Sequence, residues 1–249
     1  MPAGVAGSGL RLTADVVGAI AADGFLLVDG DDFRMDAACA TALEEFTRTW
    51  RDLPPDRYLP DGASYRRRRH ARFLLDTDGG RLRRVPGAGY FQTATVNPLV
   101  GGIVRRFDPF SDEQADNLFM HSIIRCNAEL FAACSRTVPT TWEIDAHQIR
   151  VTAGAGTVGR PSPEGRHRDG FDFIALHHVA RRNVTGGRTE IFDNDGVLLA
   201  RRVLCDRLDS VYADDARVLH DVTPVALGPD GPDGHRDMLL MSFTARGGK

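Results

Sequence analysis

Near the middle of the chain, His167 and Asp169 place an imidazole and a carboxylate two positions apart. On an extended backbone, side chains at positions i and i+2 point to the same face, so the two groups project together. One histidine and one carboxylate are two of the three ligands of a 2-His-1-carboxylate site for non-haem iron(II). The pair alone is weak evidence in a chain with eight histidines. A second histidine must therefore come from a distant segment.

Four later histidines are candidates for the missing ligand: His177, His178, His220 and His235. His177 and His178 continue the strand that follows the pair, so they lie too far along it and are expected in the core. His235 lies in a loop rich in glycine and proline. His220 follows an aspartate turn and begins a strand, so it can lie beside His167 in a closed barrel of two sheets.

Arg236 stands at the head of the last apolar run, Asp237–Phe243. A buried guanidinium requires an anion, and the C5 carboxylate of 2-oxoglutarate would suit a bidentate fork. An internal salt bridge is the alternative, and these residues alone leave both interpretations open.

The order of predicted elements is helices first and strands second. Thr13 is a candidate N-cap for a helix from Ala14 to Ile20, and Gly24–Val28 reads as a short strand. Further helices are predicted from Met35 to about Trp50 and from Asp112 to Cys134. After about residue 139, short strands divided by Gly, Asp and Asn turns predict an antiparallel barrel or sandwich. We expect a disordered segment at 1–10 and one domain at 11–249, helical over about 11–138 and β-rich over about 139–246.

Composition excludes several classes of function. The 249 residues carry a net charge of −3, which disfavours a dedicated nucleic-acid or membrane binder. The only lysine is Lys249, so no internal lysine is present for a Schiff base or a P-loop. The start of the chain does not read as a secretory signal, and the four cysteines lack metal or redox spacing, so we expect a cytoplasmic protein.

The most basic stretch, Tyr65–Leu74, contains five arginines. It could form an anion site, but such a run is more often a solvated or salt-bridged strand face. We adopt the second interpretation as the expectation for the run as a whole.

Together, His167-x-Asp169, His220 and Arg236 resemble the iron(II)/2-oxoglutarate-dependent dioxygenases. More narrowly, the chain resembles the bacterial free-amino-acid hydroxylases that include L-isoleucine 4-hydroxylases. The similarity spans roughly residues 55–245. It includes the segments around Tyr65-Arg66-Arg67, Gln92, Gly101-Gly102, Arg105-x-Phe107-x-Pro109, Gln148–Val151, Pro163–Gly170, Asn183–Gly187, Ile191–Gly196, Val218–Pro224 and His235-Arg236-Asp237.

The resemblance implies a double-stranded β-helix, or jelly roll, supported by N-terminal helices. It implies that His167, Asp169 and His220 hold Fe(II), that Arg236 binds 2-oxoglutarate, and that O₂ is the second cosubstrate. Oxidative decarboxylation to succinate and CO₂ would accompany hydroxylation of an aliphatic C–H bond. Many relatives have a serine two residues after the arginine, where this chain has Met238, so Thr189 or Ser242 is expected to assist instead.

The expected substrate is a free L-amino acid or a close derivative, a small molecule that needs one anion partner and one ammonium partner. Arg105 or Arg150 could bind the carboxylate, and Glu164 or Asp172 the ammonium. Gln92 and Gln148 could orient polar groups. Each of the six could instead be a turn or sheet-pairing residue. One alternative is the same chemistry on a dipeptide or on a carrier-bound residue in natural-product biosynthesis. Another is a non-catalytic, cupin-like module that only binds a ligand. The sequence leaves the oligomeric state open.

Overall fold

The computed structural model describes residues 9–59 and 62–247. Within these ranges the strands, in chain order, are β1 (Leu10–Leu12), β2 (Phe25–Val28), β3 (Phe33–Met35), β4 (Arg66–Asp76), β5 (Leu82–Val85), β6 (Tyr90–Phe91), β7 (Val104–Arg105), β8 (Thr141–Gly154), β9 (Phe173–Arg182), β10 (Val184–Gly186), β11 (Arg188–Phe192), β12 (Leu198–Val203), β13 (Ser210–Asp214), β14 (Leu219–Val222), β15 (Val225–Leu227) and β16 (Asp233–Arg246). The helices are α1 (Val16–Asp23), α2 (Ala37–Arg48), α3 (Asp112–Ala115) and α4 (Leu118–Cys134). Of the segment predicted to be disordered, residues 1–8 lie outside the described ranges, whereas Leu10 is buried in β1.

Each helix begins where a side chain caps it, which explains the differences from the predicted bounds. The Asp15 carboxylate accepts from the Gly18 amide at 2.8 Å, so α1 starts after Asp15 rather than after Thr13. Asp36 caps α2 in the same way. The helix predicted from Asp112 to Cys134 is divided in two, because Asn117 caps a new start at α4.

The main sheet is antiparallel and has the strand order β2-β13-β9-β16-β8-β4-β5. One of its faces packs on the helices: the ring of Phe131 in α4 stacks on Phe173 at 4.8 Å and meets Phe243 at 5.0 Å. Because side chains alternate along a strand, every second residue points to the opposite face. That opposite face belongs to the cavity described below.

A smaller set of strands lies across the cavity from the main sheet. It contains the sheet β12-β11-β14 and the pair β10-β15. Two facing antiparallel sheets that enclose a cavity form the expected jelly roll, with strands rather than helices dominating the chain. The predicted β-strand at Gly24–Val28 is present as β2, and β4 and β5 also come from the first half of the chain, so this half supplies strands as well as helices. None of the helices in the described ranges is long and apolar enough to cross a membrane.

Candidate metal centre and ligand cavity

The side chains of His167 and His220 are brought together by backbone pairing. The amide of each residue donates to the carbonyl of the other, at 3.0 and 2.8 Å, and the two ring centroids lie 4.4 Å apart. Nε2 of His167 lies 3.8 Å from Oδ1 of Asp169, and Nε2 of His220 lies 3.8 Å from Oδ2. All three ligating atoms fall within 4.8 Å of one another. These donors match the 2-His-1-carboxylate set.

Neighbouring groups orient the ring of His167 and hold the backbone of the loop that carries Asp169. His167 Nδ1 lies 2.8 Å from the Gly165 carbonyl, to which it donates, and this tautomer leaves the Nε2 lone pair free for a metal. The carboxylate of Asp215 accepts from the amides of Asp169, Gly170 and Phe171, which holds the ligand loop in place. The loop therefore presents its ligands in a preorganised arrangement.

The two imidazoles have different electrostatic surroundings. Burial, and then the neighbouring His167, lowers the pKa of His220 to about 3. Burial also acts to lower the pKa of His167, but the Asp169 and Glu164 carboxylates outweigh it and raise that pKa above its ordinary value. His220 is thus neutral across the physiological range, as a metal ligand must be.

The ligand cluster lies in a cavity of about 1010 Å³, including the space at its mouth. Alternate residues of three main-sheet strands form one wall: Arg66 and Arg68 of β4, His147, Ile149 and Val151 of β8, and Arg236, Met238, Leu240 and Ser242 of β16. The smaller sheet contributes Thr189 from β11 and both His220 and Val222 from β14 to the lining of the cavity. The period of two in β4, β8 and β16 shows that one face of this sheet is the cavity wall.

Arg236 occupies one end of this cavity without an acidic partner. Its side chain is buried, its Nε atom makes no hydrogen bond, and no ion pair to it is present among the described residues. The adjacent Asp237, the obvious internal partner, is engaged with Arg150 in two hydrogen bonds of 2.7 Å. Burial lowers the pKa of Arg236 to about 10, so it is still a cation at neutral pH. A buried, unpaired guanidinium of this kind suits a carboxylate ligand.

A second group of arginines lies in the same cavity. Arg66 is neutralised by Asp56, with Nε to Oδ2 at 2.7 Å. Arg68 donates from Nε to His147 Nδ1 at 3.1 Å and has no carboxylate within salt-bridge distance among the described residues. Arg105 donates from Nη2 to Gln92 Oε1 at 2.5 Å, while its buried Nε has no partner. This group of three guanidiniums contains one internal ion pair, Arg66 with Asp56, and its excess positive charge suits an anion.

The arginines of the basic stretch therefore alternate between the two faces of β4, with Arg66 and Arg68 on the cavity side. Arg67 and Arg69 point away from the cavity and donate to the carbonyls of Leu53 and Pro109. These two side chains lie on the outer face of the strand, as expected, but they donate to backbone carbonyls rather than to acidic side chains. The expectation of a solvated or salt-bridged face is wrong for Arg68, because alternation along β4 turns this side chain into the cavity.

Gln92 connects this arginine group with the ligand cluster. Its Nε2 donates to the backbone carbonyl of Asp169 at 2.9 Å and lies 3.4 Å from Oδ1 of the same residue. Its Oε1 accepts from Arg105 and, at 3.3 Å, from Asn97. The amide of Gln92 thus lies between an anion-binding arginine and the carboxylate ligand.

The structure brings some predicted site residues into the cavity and leaves others outside it. Thr189, Ser242, Gln92, Arg105 and Glu164 all line the cavity. Glu164 Oε1 lies 3.6 Å from His167 Nε2.

Three predicted substrate contacts lie elsewhere. Gln148 points to the helical side, where it bonds Gln114 and Thr49. Arg150 is paired with Asp237, and the carboxylate of Asp172 accepts from the Ala245 amide. Adjacent strand residues face opposite sides, which is why His147 rather than Gln148 reaches the cavity.

Sequence reasoning missed Arg68 and His147. Asp145, His147 and Ile149 share one face of β8 because they alternate along the strand, and β4 pairs directly with this strand, with His70 opposite His147. The alternation of side chains along β4 and β8 could therefore have indicated which residues share a face. The pairing of these two strands, which places both faces on the cavity, could not be predicted from the sequence.

The comparisons with known proteins agree with this geometry. A family model described as 2OG-Fe dioxygenase matches residues 47–242. The chain is similar to a bsmA homolog from Methylobium petroleophilum PM1 of known crystal structure, with 33% identity and a TM-score of 0.83, over 94% of this chain and 93% of that one. It is 24% identical to an L-isoleucine-4-hydroxylase from Bacillus thuringiensis, over 89% of this chain and 90% of the relative. It is also 24% identical to a 3(1)-hydroxy-L-isoleucine 4-dioxygenase from Pantoea ananatis (strain AJ13355), over 88% and 91%.

The chain therefore belongs to the 2OG-Fe dioxygenase family. It is an enzyme that depends on Fe(II) and uses 2-oxoglutarate and O₂ as cosubstrates. The resemblance inferred from its sequence, and the jelly-roll fold that it implied, are both confirmed.

Proposed function

We propose that the protein hydroxylates an aliphatic C–H bond of an L-amino acid or a close derivative, and that His167, Asp169 and His220 hold the Fe(II). The observation that carries this proposal is the cluster of three ligating atoms within 4.8 Å, in a cavity that also contains Arg236. Fe(II), with 2-oxoglutarate and O₂, supplies the oxidant that converts C–H to C–OH while succinate and CO₂ are released. The protein's residues bind and orient the two organic molecules.

Arg236 is assigned to the C5 carboxylate of 2-oxoglutarate. It is buried and unpaired, and Thr189 and Ser242 line the same cavity as candidate hydroxyl partners. Apolar side chains complete the lining on this side, namely Leu176, Val222, Met238 and Leu240. A low-polarity pocket with one guanidinium favours a carboxylate on a short aliphatic chain.

Arg68 and Arg105 are assigned to the carboxylate of the amino-acid substrate. Both guanidiniums lie against aromatic rings, with Arg68 4.3 Å from the Phe107 centroid and Arg105 4.8 Å from that of Tyr90, and these contacts fix their planes. Glu164 is the candidate partner of an amino group. Leu99, Val100 and Ile149 offer apolar contacts for an aliphatic side chain. Two relatives act on L-isoleucine and on 3(1)-hydroxy-L-isoleucine, which supports a substrate of this kind.

The test is incubation with Fe(II), 2-oxoglutarate and a panel of free amino acids and derivatives, read by mass spectrometry. We expect succinate together with a product that is one oxygen atom heavier than its substrate. His220→Ala should abolish both products, whereas Arg67→Gln, on the outer face of β4, should leave them unchanged. Normal turnover by His220→Ala would refute the metal assignment. Activity on dipeptides or carrier-bound residues alone would move the same chemistry to a larger substrate.

A further inference from the structure

The charged groups that line the cavity do not balance one another. Within the described part of the chain they are the guanidiniums of Arg66, Arg68, Arg105 and Arg236 and the carboxylates of Glu164 and Asp169. Asp56 neutralises Arg66 from outside the cavity. Before any ligand enters, the four guanidiniums are therefore opposed by three carboxylates when Asp56 is counted. A net charge of +1 remains.

Cofactor and cosubstrate leave this surplus unchanged. The two positive charges of Fe(II) equal the two negative charges of 2-oxoglutarate. When Arg236 is matched by one 2-oxoglutarate carboxylate and Asp169 belongs to the metal, two cations remain, Arg68 and Arg105, against the single carboxylate of Glu164. Burial lowers the pKa of Arg68 only to about 10, so it is charged at neutral pH. A buried cation without a counter-ion is costly, typically by several kcal/mol.

The hydrogen-bonding capacity of this end points to the same kind of ligand. Arg68 donates to Nδ1 of His147, so the ring carries its proton on Nε2, and burial together with Arg68 keeps the pKa of His147 well below its usual range. That Nε2 is buried and has no acceptor, and the same is true of Nε in Arg105. Within the described part of the chain, the two side chains of His147 and Arg105 thus present buried donors without acceptors, which suits a ligand rich in anionic or carbonyl oxygens.

We infer that the true substrate carries a net charge of −1: it is a carboxylate with either an acylated amino group or a second carboxylate, rather than a simple zwitterion. This inference rests on the proposed function and specifies its substrate class. A zwitterion adds no net charge and leaves the surplus cation in place. A net anion neutralises it and gives the free donors of Arg105 and His147 an acceptor.

Two matched pairs of compounds test the inference: L-glutamate with L-glutamine, and N-acetyl-L-leucine with L-leucine. Each pair differs by one unit of net charge; the first pair shares one carbon skeleton, and the second differs by the acetyl group on the amine. We expect the anion to exceed the zwitterion at least tenfold in kcat/KM in one pair. The responding pair distinguishes a second carboxylate from a blocked amine. The same compounds are titrated by calorimetry into protein loaded with Zn(II) and 2-oxoglutarate, which does not turn over, so that affinity is measured independently of chemistry.

Variants separate charge from shape. Arg105→Gln removes one cation and should lower the ratio of anion to zwitterion affinity about tenfold, whereas Glu164→Gln removes a carboxylate and should raise that ratio. Arg67→Gln, which removes a cation outside the cavity, should leave it unchanged. Circular dichroism and thermal unfolding confirm that each variant is folded.

The outcomes distinguish this inference from the proposed function. If no compound in the wider panel stimulates succinate formation, the proposed function fails. If zwitterions are turned over, and are bound as well as or better than the anions in both pairs, the proposed function stands and the inference is wrong. The absence of a tenfold preference in either pair, including the absence of binding, also overturns it.

Discussion

The two ends of the cavity use the same chemical group in different structural settings. Arg236 and Arg68 are both buried guanidiniums whose pKa burial lowers to about 10. Arg236 lies on β16, in the interior of the main sheet between β8 and β9, whereas Arg68 lies on β4 next to the edge strand β5. Two neighbours of Arg68 lie at the ends of the loop between β6 and β7: the ring of Tyr90 in β6 and the guanidinium of Arg105 in β7. The contrast is consistent with the proposed division into a cosubstrate end held within the sheet and a substrate end bordered by a loop.

The largest effect is expected from a substitution that removes the proposed 2-oxoglutarate-binding guanidinium. Arg236→Gln removes the guanidinium that lines the cavity at the cosubstrate end and should raise the KM for 2-oxoglutarate roughly 100-fold, as is typical when one partner of a buried charged pair is removed (about 3 kcal/mol). The KM for the organic substrate should change far less. Steady-state kinetics with each component varied in turn measure both values. A larger effect on substrate than on 2-oxoglutarate would reverse the assignment of the two ends.

Arg68→Gln makes the complementary change and should raise the KM for the organic substrate about 30-fold, or roughly 2 kcal/mol, with little change in that for 2-oxoglutarate. The effect is smaller because Arg105 remains as a second cation in the same end. Arg67→Gln on the same strand is the matched control. If both KM values rose together, the two ends would be coupled rather than separate.

The metal between the two ends should show a pH dependence set by one histidine. His167 has a raised pKa, and a metal must displace its proton below that value. His220, with a pKa of about 3, does not compete until far lower pH. Affinity for Zn(II) should therefore fall about tenfold per pH unit below the pKa of His167. Calorimetry from about pH 8 to pH 5 measures this slope, and a slope of two protons would show that His220 also titrates.

The smallest effect should come from the link between the ends. Gln92→Ala removes the bridge from Arg105 to Asp169 and should reduce the ratio of hydroxylated product to succinate several-fold, because substrate and metal ligand are no longer held in one network. Affinity for Co(II) measured without substrate provides a readout independent of turnover. Gln92→Glu is a useful comparison, since it keeps the acceptor for Arg105 but loses the donor to Asp169. An unchanged product ratio in both variants would limit Gln92 to a packing role.

Much of the metal site could be predicted from the chain because it depends on local geometry. His167 and Asp169 share a face through their spacing of two residues on extended backbone. His220 could be preferred over the other histidines because it begins a strand after a turn, and the structure pairs its backbone with that of His167. The starts of α1 and α4 differ from the predicted helix starts for a reason that is also local: Asp15 and Asn117 cap these helices, and the predictions did not take these caps into account.

The contacts of the substrate end could not be predicted in this way, because they depend on which strands are neighbours and in what register. Arg150 and Arg236 are the same residue type, yet the pairing of β8 with β16 places Asp237 opposite Arg150 and leaves Arg236 without an acid among the described residues. His147 and Gln148 are adjacent, yet only His147 faces the cavity. The sequence by itself determined the types of the candidate ligands, their local spacing and the pattern of short antiparallel strands, whereas the jelly roll was implied by the family resemblance. Only the tertiary structure decided which arginines are neutralised and which remain free, because ion pairing is set by distances between strands far apart in the chain.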